Sequence, residues 1–498
     1  MMLKTAAIVL TSCLLVPQLA LGLATRQEPQ TNYDLAGLVT SMRWSAQTTV
    51  SFPGQTRFVN VTQRWTTFCA HLGTSPLSAQ ETREISSKLG IPFLVTSGRH
   101  GFNPTLGGLR NGLAIDLSRF DKLQINARAN TLTIGPAIRT SDLLRPLYNA
   151  GFIGITLGGG IGRWDGVYGL FTDALESVRF IAANGTALTA SRTVNSELFW
   201  GIRGAGANLG VITEATYNLR RIARSEKTGS GYGLNADFTV PASQNATYFK
   251  LLEKISPYPA RLAIVTVVVW NQTIGQTQIV SNWQYFGPRK EALVAIAPMI
   301  ALGPSVSSIR YLPWPELFYA QQFGMDGANC APGLVRNIYT ASIRKITSST
   351  WQSSFGKMAR FFEGNPSARA LTSFAHETYP NQATVAVPDD ETAYPWRDAK
   401  GYLLFQFGWS GAINSPVAAT AAALGRELRA DYAATSGYEK ELKGGLAAYV
   451  NYARGDEPLE NIYRTDKLPR LAALKRTWDP NNVFAYHLAL PTRYPAAP

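Results

Sequence analysis

The sequence predicts an α+β fold built from two unlike domains and a short C-terminal segment. Residues 63–219 are rich in glycine and alternate short strands with short helices. Between 223 and 445, strands alternate with amphipathic helices, a pattern typical of an antiparallel sheet covered by helices. With 498 residues, 45% of them hydrophobic and 16% charged, the chain can bury a large core. We therefore expect domains at 25–222 and 223–445, followed by the segment 446–498.

The elements of the first domain are marked by capping and stop residues. Thr140 or Ser141 is placed to cap a helix that runs to residue 149, where Gly151 stops it. Asn195 is placed to cap a second helix over 196–203. Patterns rich in β-branched and apolar residues predict strands at 112–117, 131–134 and 211–219.

A hairpin is predicted where strands 176–183 and 186–191 flank Asn184-Gly185, a dipeptide suited to the positive φ angles of a type I′ turn. The second domain should contain strands at 262–270 and 402–409 and amphipathic helices at 349–362 and 417–434. The last stretch, 449–484, is rich in Asn, Asp, Tyr and Arg, and we expect it to return to the first domain.

The N-terminus has the features of an export signal. Lys4 precedes an apolar run over residues 6–23, and the small residues Gly22 and Ala24 are typical of a signal-peptidase site. We therefore expect a signal peptide at 1–24 and a secreted protein with no membrane contact after cleavage, an uncleaved anchor being the alternative. The chain also has four Asn-x-Ser/Thr sites for N-linked glycans, at Asn60, Asn184, Asn245 and Asn271.

Cysteine content and charge limit the possible partners. After loss of the leader only Cys69 and Cys330 remain, so a disulfide framework is excluded, and these two either pair or stay free. The formal net charge is +14, but the Lys and Arg residues are scattered without a basic run, which argues against a nucleic-acid partner. We expect a monomer that acts on a small molecule.

Several common sites are excluded by their missing residues. In the run from Gly158 to Gly162, Arg163 stands where a dinucleotide-binding fingerprint needs its third glycine, and the run from Gly204 to Leu209 fails in the same way. A conventional NAD site is therefore not expected. The four histidines include no close pair, so no metal site is predicted.

The turn Ser97-Gly98-Arg99-His100-Gly101 follows a predicted strand and has a glycine on either side of its Arg-His pair. Small residues at such a turn allow backbone N–H groups to approach a diphosphate closely. On spacing alone, a histidine in this position is either a ligand-binding residue or a structural one.

Taken together, four segments resemble the vanillyl-alcohol oxidase and p-cresol methylhydroxylase superfamily, in particular the fungal berberine-bridge-enzyme-like FAD-linked oxidoreductases. They are residues 93–120 with the SGRHG turn, 154–169 (GITLGGGIGRWDGVYG), 173–219 with NSELFWGIRGAGANLGVIT, and the terminal YVNYARGDEP with LPRLAALKRTWDPNNVF. They occur in the family's order. The resemblance implies a PCMH-type FAD-binding domain at 25–222, a substrate domain at 223–445 and a berberine-bridge-like segment at 446–498.

The resemblance also implies roles for individual residues. His100 would carry FAD through an 8α-histidyl bond. The other cofactor-binding residues would be Ser97, Gly98, Arg99 and Gly101 at the diphosphate, Gly158, Gly159, Gly160 and Gly162 along the cofactor channel, Gly206, Asn208, Gly210 and Val211 beside the flavin, and Asn451 with Tyr452 on the C-terminal side. The alternative is that these glycines only permit close packing.

The chain departs from the family at the second flavin anchor. Bicovalent members bond a cysteine to the flavin 6-position between the helix that ends here at Asn149 and the LGGGIG segment. In this chain residues 150–154 join the two directly and contain no Cys. Either the protein holds FAD through His100 alone, or the sequence has lost a short piece.

An enzyme of this class needs a group that takes the substrate's proton while the flavin takes the hydride and passes its electrons to O2. Tyr402, Tyr449 and Tyr452 are the candidate bases, with Asp456 as a supporting carboxylate, and each tyrosine is alternatively a packed aromatic. We favour a small, fairly apolar metabolite of fungal secondary metabolism as substrate. The alternatives are an oligosaccharide oxidase and a non-redox binding protein or cyclase that retains the fold.

Overall fold

The computed structural model describes residues 35–41, 49–67, 73–74, 91–109, 112–152, 160–325 and 331–495. The predicted signal peptide lies outside these residues, as do Cys69, Cys330, Gly158 and Gly159. Helix Leu35–Ser41 belongs to a unit of its own, Met1–Arg43, and everything described below belongs to the compact unit Trp44–Pro498. Within the described residues, no helix is both long and apolar enough to cross a membrane.

The first half of the chain forms two small sheets. The three-stranded parallel sheet has the order β1-β3-β2, and its strands are β1 (Gly73–Thr74), β2 (Phe93–Thr96) and β3 (Gly112–Asp116). The five-stranded antiparallel sheet has the order β4-β5-β8-β6-β7, and its strands are β4 (Leu123–Asn126), β5 (Thr131–Ile134), β6 (Leu175–Ala182), β7 (Ala187–Ser191) and β8 (Gly210–Asn218). Helices Thr140–Asn149 and Ser196–Ala205 pack against the second sheet through one apolar core.

The hairpin between β6 and β7 is present, but its predicted turn type is wrong. Gly185 has a φ of 76°, whereas Asn184 is not among the residues with positive φ. The Gly185 N–H donates to the Ala182 carbonyl at 2.8 Å and closes a tight turn. Of the Asn-Gly pair, only Gly185 adopts the left-handed conformation, whereas a type I′ turn needs positive φ at both central residues.

The predicted helix caps also need correction. Helix Thr140–Asn149 is preceded by Arg139, whose N–H donates to Asp142 Oδ2 at 2.9 Å, so neither Thr140 nor Ser141 is the capping residue. Asn195 occupies the position before the other helix, but its side chain makes no capping hydrogen bond. Its amide donates to the Thr189 carbonyl. The helices themselves lie where the sequence predicts them, since their apolar faces rather than their caps decide their position.

The second half forms one seven-stranded antiparallel sheet with the order β12-β9-β11-β10-β14-β15-β13. Its strands are β9 (Tyr232–Pro241), β10 (Leu262–Asn271), β11 (Gln276–Phe286), β12 (Val306–Pro313), β13 (Asn337–Ile343), β14 (Ser373–Thr378) and β15 (Gly401–Phe407). The main helices that follow or separate these strands are Asn245–Ile255, Arg289–Ala301, Trp314–Ala320, Ser348–Gly364 and Pro416–Ala433.

Side chains alternate between the two faces of this sheet, because strand residues point to opposite sides in turn. On β15, Leu403, Phe405 and Phe407 belong to the large core that also contains residues of helices Ser348–Gly364 and Pro416–Ala433. Tyr402 faces the other way, into a smaller cluster rich in tyrosine. The register places Val265 of β10, Glu377 of β14 and Tyr402 of β15 in one row on that second face.

The C-terminal segment packs on the first half of the chain. Helices Leu459–Tyr463 and Leu468–Trp478 share a core with helix Ser196–Ala205. The fully buried Lys475 pairs with Asp479 at 2.6 Å and donates to the Asn208 carbonyl at 3.0 Å. The α+β fold class, with an antiparallel sheet covered by helices, is confirmed.

Candidate functional site

A cavity of about 510 Å³ lies where the first half of the chain meets the C-terminal segment. Its wall comes from β2 and the turn that follows, from the end of helix Ser196–Ala205 with the start of β8, and from the C-terminal segment. The residues that line it include Thr96, Ser97, Arg99, His100 and Gly101, then Gly206, Gly210 and Val211, then Tyr394, Val450, Asn451, Tyr463, Phe484, Tyr486 and His487. Stretches far apart in sequence therefore meet around one space.

The Ser97–Gly101 turn is held in place by hydrogen bonds to its surroundings. Ser97 Oγ donates to the Pro136 carbonyl, and Arg64 Nη2 donates to the Gly101 carbonyl. Arg99 has a φ of 57°, a left-handed conformation that costs about 1 kcal/mol or more outside glycine. Its guanidinium donates to the Asn60 carbonyl at 2.7 Å, and its own carbonyl accepts from the Trp65 N–H at 3.2 Å. These contacts hold the backbone of the turn against the cavity.

Three of the predicted glycines differ in how much room an added side chain would have. A Cβ added at Gly98 would meet no atom within 4 Å, and one at Gly206 would meet only Ile202, at 3.6 Å. A Cβ at Gly210 would lie 2.3 Å from the Phe180 ring and 2.4 Å from the Ile181 carbonyl. Gly98 therefore faces open space but does not line the cavity. Gly206 lines the cavity without a close contact, while Gly210, which also lines it, is required by close packing.

His100 is an exposed residue of this wall whose ring stacks on Trp65, with ring centroids 4.9 Å apart and planes 20° from parallel. The Arg336 guanidinium lies 4.0 Å from the centre of the same indole. Partial burial, and then the charge of Arg336, lower the pKa of His100. The imidazole is therefore neutral at neutral pH.

Asn208 does not line the cavity. It is fully buried, and its amide donates to Tyr463 Oη at 3.0 Å and to the Leu488 carbonyl at 3.3 Å. Its Oδ1 accepts from the Leu490 N–H at 2.8 Å. The structure thus gives Asn208 contacts with the C-terminal segment instead of a place beside the flavin.

Of the predicted channel glycines, Gly160 and Gly162 are described and neither lines the cavity directly. A Cβ on Gly160 would lie 3.8 Å from the side chain of Thr172, a lining residue, and 4.0 Å from Tyr449 Oη. Gly162 donates its N–H to Asp165 Oδ2 at 2.9 Å. Burial raises the pKa of Asp165 well above its usual range.

Two of the predicted tyrosines, Tyr402 and Tyr449, pack with Tyr394 in one layer that extends from the cavity to the seven-stranded sheet. Tyr402 and Tyr449 are buried, and their ring centroids lie 5.7 Å apart. Tyr394, which lines the cavity, places its Oη 3.1 Å from that of Tyr402. Asn451 donates to Tyr449 Oη at 2.7 Å, and burial raises the pKa of all three phenols well above the usual value.

Tyr452 is the candidate base that contacts a carboxylate. Its Oη donates to Glu377 Oε2 at 2.8 Å. Burial, followed by the charge of Glu377, raises the pKa of Tyr452 well above its usual range. The sequence reasoning missed Glu377 and named Asp456, which instead pairs with Arg429 at 2.6 Å.

A second residue that the sequence reasoning missed is Lys467, which holds the loop carrying Tyr394. Its Nζ donates to the carbonyls of Asp389, Thr392 and Tyr394 at 2.7, 2.9 and 2.9 Å. Burial lowers the pKa of Lys467 to about 8. Lys467, a residue of the C-terminal segment, therefore holds this loop in place and with it the position of Tyr394 at the cavity wall.

Tyr486 and His487 were also missed as lining residues. Burial and the nearby Arg64 lower the pKa of His487 to about 4. Their only signal in the sequence is their position shortly after the WDPNNVF stretch.

In the described part of the chain, no group of three or more His, Cys, Asp or Glu side chains is arranged to hold a metal ion.

Two family models match this chain at the segments that form the cavity. The model described as an FAD binding domain matches residues 74–191, and the model described as berberine and berberine like matches residues 448–491. The first range contains the His100 turn, and the second contains Asn451, Tyr452 and His487.

Relatives match over nearly the whole chain. The FAD-linked oxidoreductase OXR1 of Pyricularia oryzae is 45% identical over 467 residues, which cover 90% of each chain. Among solved structures, the wild-type BBE-like 1 protein of Physcomitrella patens has a TM-score of 0.77 at 19% identity, covering 93% of this chain and 100% of that one.

A glucooligosaccharide oxidase of Acremonium strictum, described with a 6-S-cysteinyl, 8α-N1-histidyl FAD, has a TM-score of 0.73 at 16% identity, covering 92% and 98%. At these identities the solved structures show the shared fold, while the closer relative shows the family. The chain therefore belongs to the FAD-linked oxidoreductases of the berberine-bridge-enzyme-like family.

Proposed function

We propose that this FAD-linked oxidoreductase oxidises a small, largely apolar organic molecule at a carbon that bears a hydroxyl group, with FAD bonded to His100 alone. When bound, FAD accepts a hydride from the substrate and passes the electrons to O2. The observation that carries the proposal is the Tyr452–Glu377 hydrogen bond on a sheet face whose neighbouring row is apolar.

The residues present fit the cofactor. The turn at 97–101 lines the cavity with four of its five residues, all except Gly98. Gly206 lines it from the opposite stretch, where an added Cβ would meet only Ile202, at 3.6 Å. Ser97, Arg99 and Gly101 would hold the diphosphate, and Gly206, Val211 and Asn451 would lie along the rest of the molecule.

Tyr452 and Glu377 would take up the substrate's proton. The Tyr452 hydroxyl gives its hydrogen to Glu377 Oε2, so its own oxygen lone pairs are left to accept a hydrogen bond from a substrate O–H. As the substrate proton arrives at Tyr452 Oη, the phenolic proton moves to Glu377. Because its surroundings raise the pKa of this half-buried phenol, a negative charge on it is unfavourable, and this transfer avoids forming one.

The substrate preference follows from the row beside Glu377. Ala375 of β14 pairs with Val267 of β10 and with Leu404 of β15, and all three side chains are half-buried on the same face as Glu377. None of them has a hydrogen-bonding group. A sugar would leave its hydroxyls unpaired against this row, at a cost of about 1–3 kcal/mol for each buried group, which argues against the oligosaccharide alternative.

The proposed bond to FAD rests on the place and charge state of His100. The imidazole lies in the cavity wall and is neutral, as a nucleophile must be. Such a bond would join an imidazole nitrogen to the 8α-carbon with loss of one proton from each, and the two electrons released would be taken up by O2 as H2O2. Since the chain has no Cys other than Cys13, Cys69 and Cys330, the segment that carries the second anchor in bicovalent relatives offers no thiol.

Purified protein tests both parts of the proposal. We expect a yellow protein whose flavin stays with the polypeptide on a denaturing gel, and a His100→Ala variant that loses it. Peroxide release should occur with apolar alcohols or phenols and not with cello- or xylo-oligosaccharides. Flavin on a peptide containing Cys69 or Cys330 would disprove the single bond, oxidation of oligosaccharides alone would disprove the substrate class, and a colourless folded protein would favour the non-redox alternative.

We also propose that the protein is exported and glycosylated. The N-terminal 24 residues have the pattern of a cleaved leader. Asn60 and Asn184 are exposed, as glycan acceptors have to be. An intact Met1 on protein secreted or retained by a eukaryotic host would contradict the cleavage.

A further inference from the structure

Trp65 lies between His100 and Arg336, the residue that precedes strand β13 of the seven-stranded sheet. The His100 imidazole stacks on the Trp65 indole, and the Arg336 guanidinium lies over the same indole at 4.0 Å. Arg336 is 3% exposed and directly precedes β13. One aromatic ring therefore joins a buried cation of the second half of the chain to the histidine of the first half.

Hydrogen bonds fix this arrangement from both sides. Arg336 Nη1 donates to the Trp65 carbonyl at 2.6 Å and to the Ala331 carbonyl at 2.9 Å. Thr66 Oγ1 accepts from the Arg336 N–H at 3.1 Å and donates to the Arg336 carbonyl at 2.9 Å. The Trp65 N–H in turn donates to the Arg99 carbonyl, next to His100. The indole is thus held rigidly between the turn and Arg336.

We propose that Arg336 and Trp65 are positioning residues for the covalent attachment of FAD, which present the His100 imidazole to the cavity in a fixed orientation and without a proton. The inference rests on the proposed bond at His100 and adds the residues that control its formation. Stacking on Trp65 holds the His100 imidazole in one plane, so less orientational freedom is lost when it reacts. Arg336 opposes protonation, because a second cation nearby is unfavourable.

The other Arg and His residues that line the cavity with His100, among the residues that the structure describes, are Arg64, Arg99 and His487. Burial and the charge of Arg64 lower the pKa of His487 to about 4, so it is neutral over the range tested. Arg64 is bound to the Gly101 carbonyl and Arg99 to the Asn60 carbonyl. Only Arg336 acts on His100 through its charge, and burial acts in the same direction. Loss of the Arg336 charge should therefore raise the pKa of His100, and the pH above which attachment proceeds should rise with it.

The experiment follows attachment of FAD to full-length protein produced without flavin in a riboflavin-auxotrophic host. FAD is added at a series of pH values, and covalent flavin is measured in acid-precipitated protein over time. For Arg336→Gln we expect slower attachment near neutral pH and a shift of the whole rate profile to higher pH. Arg336→Lys keeps the charge and should keep the profile close to that of the wild type. Trp65→Phe should slow attachment at every pH without shifting the profile.

A matched control is Arg369→Gln. Arg369 lies 4.2 Å over the Trp270 ring, a similar contact away from the cavity, and its loss should leave attachment unchanged. If the wild type never holds covalent flavin, the proposed bond at His100 fails. If the wild type attaches FAD and Arg336→Gln does so at the same rate with the same pH profile, only the present inference fails. If Arg336→Gln does not fold, attachment in Trp65→Phe at the wild-type rate overturns it.

Discussion

Tyr452 Oη donates a 2.8 Å hydrogen bond to Glu377 Oε2, which joins the C-terminal segment to the centre of the seven-stranded sheet. Of the three predicted tyrosines, Tyr452 is half-buried whereas Tyr402 and Tyr449 are almost fully buried. Tyr452 follows directly on Val450 and Asn451, which line the cavity, and it is the one of the three that contacts a carboxylate, which is why we propose it as the proton-accepting tyrosine. Tyr402 and Tyr449 form the packed layer behind it.

Replacing Glu377 should reduce turnover while leaving FAD in place. Glu377→Gln keeps the size of the side chain and removes the proton acceptor, so we expect kcat about 100-fold to 1,000-fold lower. Stopped-flow reduction of the flavin by substrate measures the step directly. Glu427→Gln, at an exposed ion pair with Lys357, serves as the control. Normal flavin reduction in Glu377→Gln would exclude the proposed proton acceptor.

Two glycine substitutions should have opposite consequences. Gly210→Ala places a Cβ against the Phe180 ring and the Ile181 carbonyl, and we expect about 1–3 kcal/mol of destabilisation, measured as a lower Tm. Gly206→Ala has no such clash, so its Tm without flavin should match the wild type. Its methyl group would project toward the cavity and reduce the flavin content. Full flavin content in Gly206→Ala would show that this glycine does not approach the cofactor.

Acid should destabilise the fold in part through His487. Its pKa is about 4 in the folded protein and near 6.5 in an unfolded chain, so the unfolded state binds more protons between these values. The contribution of a neutral His487 is therefore complete above pH 6.5 and is lost as the pH falls toward 4. For flavin-free protein, His487→Gln should lose less stability than the wild type over this range, by about 2 kcal/mol after allowing for the partly solvated ring. Equal losses of stability in both proteins would contradict the shifted pKa.

Glycan occupancy should differ among the four Asn-x-Ser/Thr sites. Asn60 and Asn184 are exposed. The side-chain amides of Asn245 and Asn271 donate instead to the Ala242 carbonyl and to Gln278 Oε1, at 2.6 and 2.9 Å. We expect Asn60→Gln and Asn184→Gln each to lower the mass of protein from a eukaryotic host. The prediction fails if mass spectrometry finds glycan only at Asn245 and Asn271.

Local patterns predicted much of the fold, because they depend on neighbours in sequence. Strand β5 (Thr131–Ile134) and helix Thr140–Asn149 lie at their predicted positions, since alternation and an apolar helical face mark them. The His100 turn was recognisable because small residues cluster around it. Cap and turn details at Arg139 and Gly185 were missed, because several residues in each stretch are compatible with those conformations.

Glu377, the proposed proton acceptor, could not be found in this way. Glu377 lies on a strand whose alternate residues are buried, and nothing near it in sequence distinguishes it from a solvent-facing carboxylate. Its partner Tyr452 is 75 residues away along the chain. The return of the C-terminal segment to this face of the sheet, where Ala447 bridges to Ser342 of β13, brings the two together. Asp456 lay closer to the tyrosines in sequence, but Arg429 neutralises it elsewhere.

The segment 446–498 supplies Asn451, Tyr486 and His487 to the cavity wall. A nascent chain whose ribosome has passed only residue 445 already contains His100, but it lacks this part of the wall that would retain FAD. We therefore expect cofactor loading to begin only after residue 487 has left the ribosome. Premature stop codons between 446 and 487 should therefore yield colourless protein.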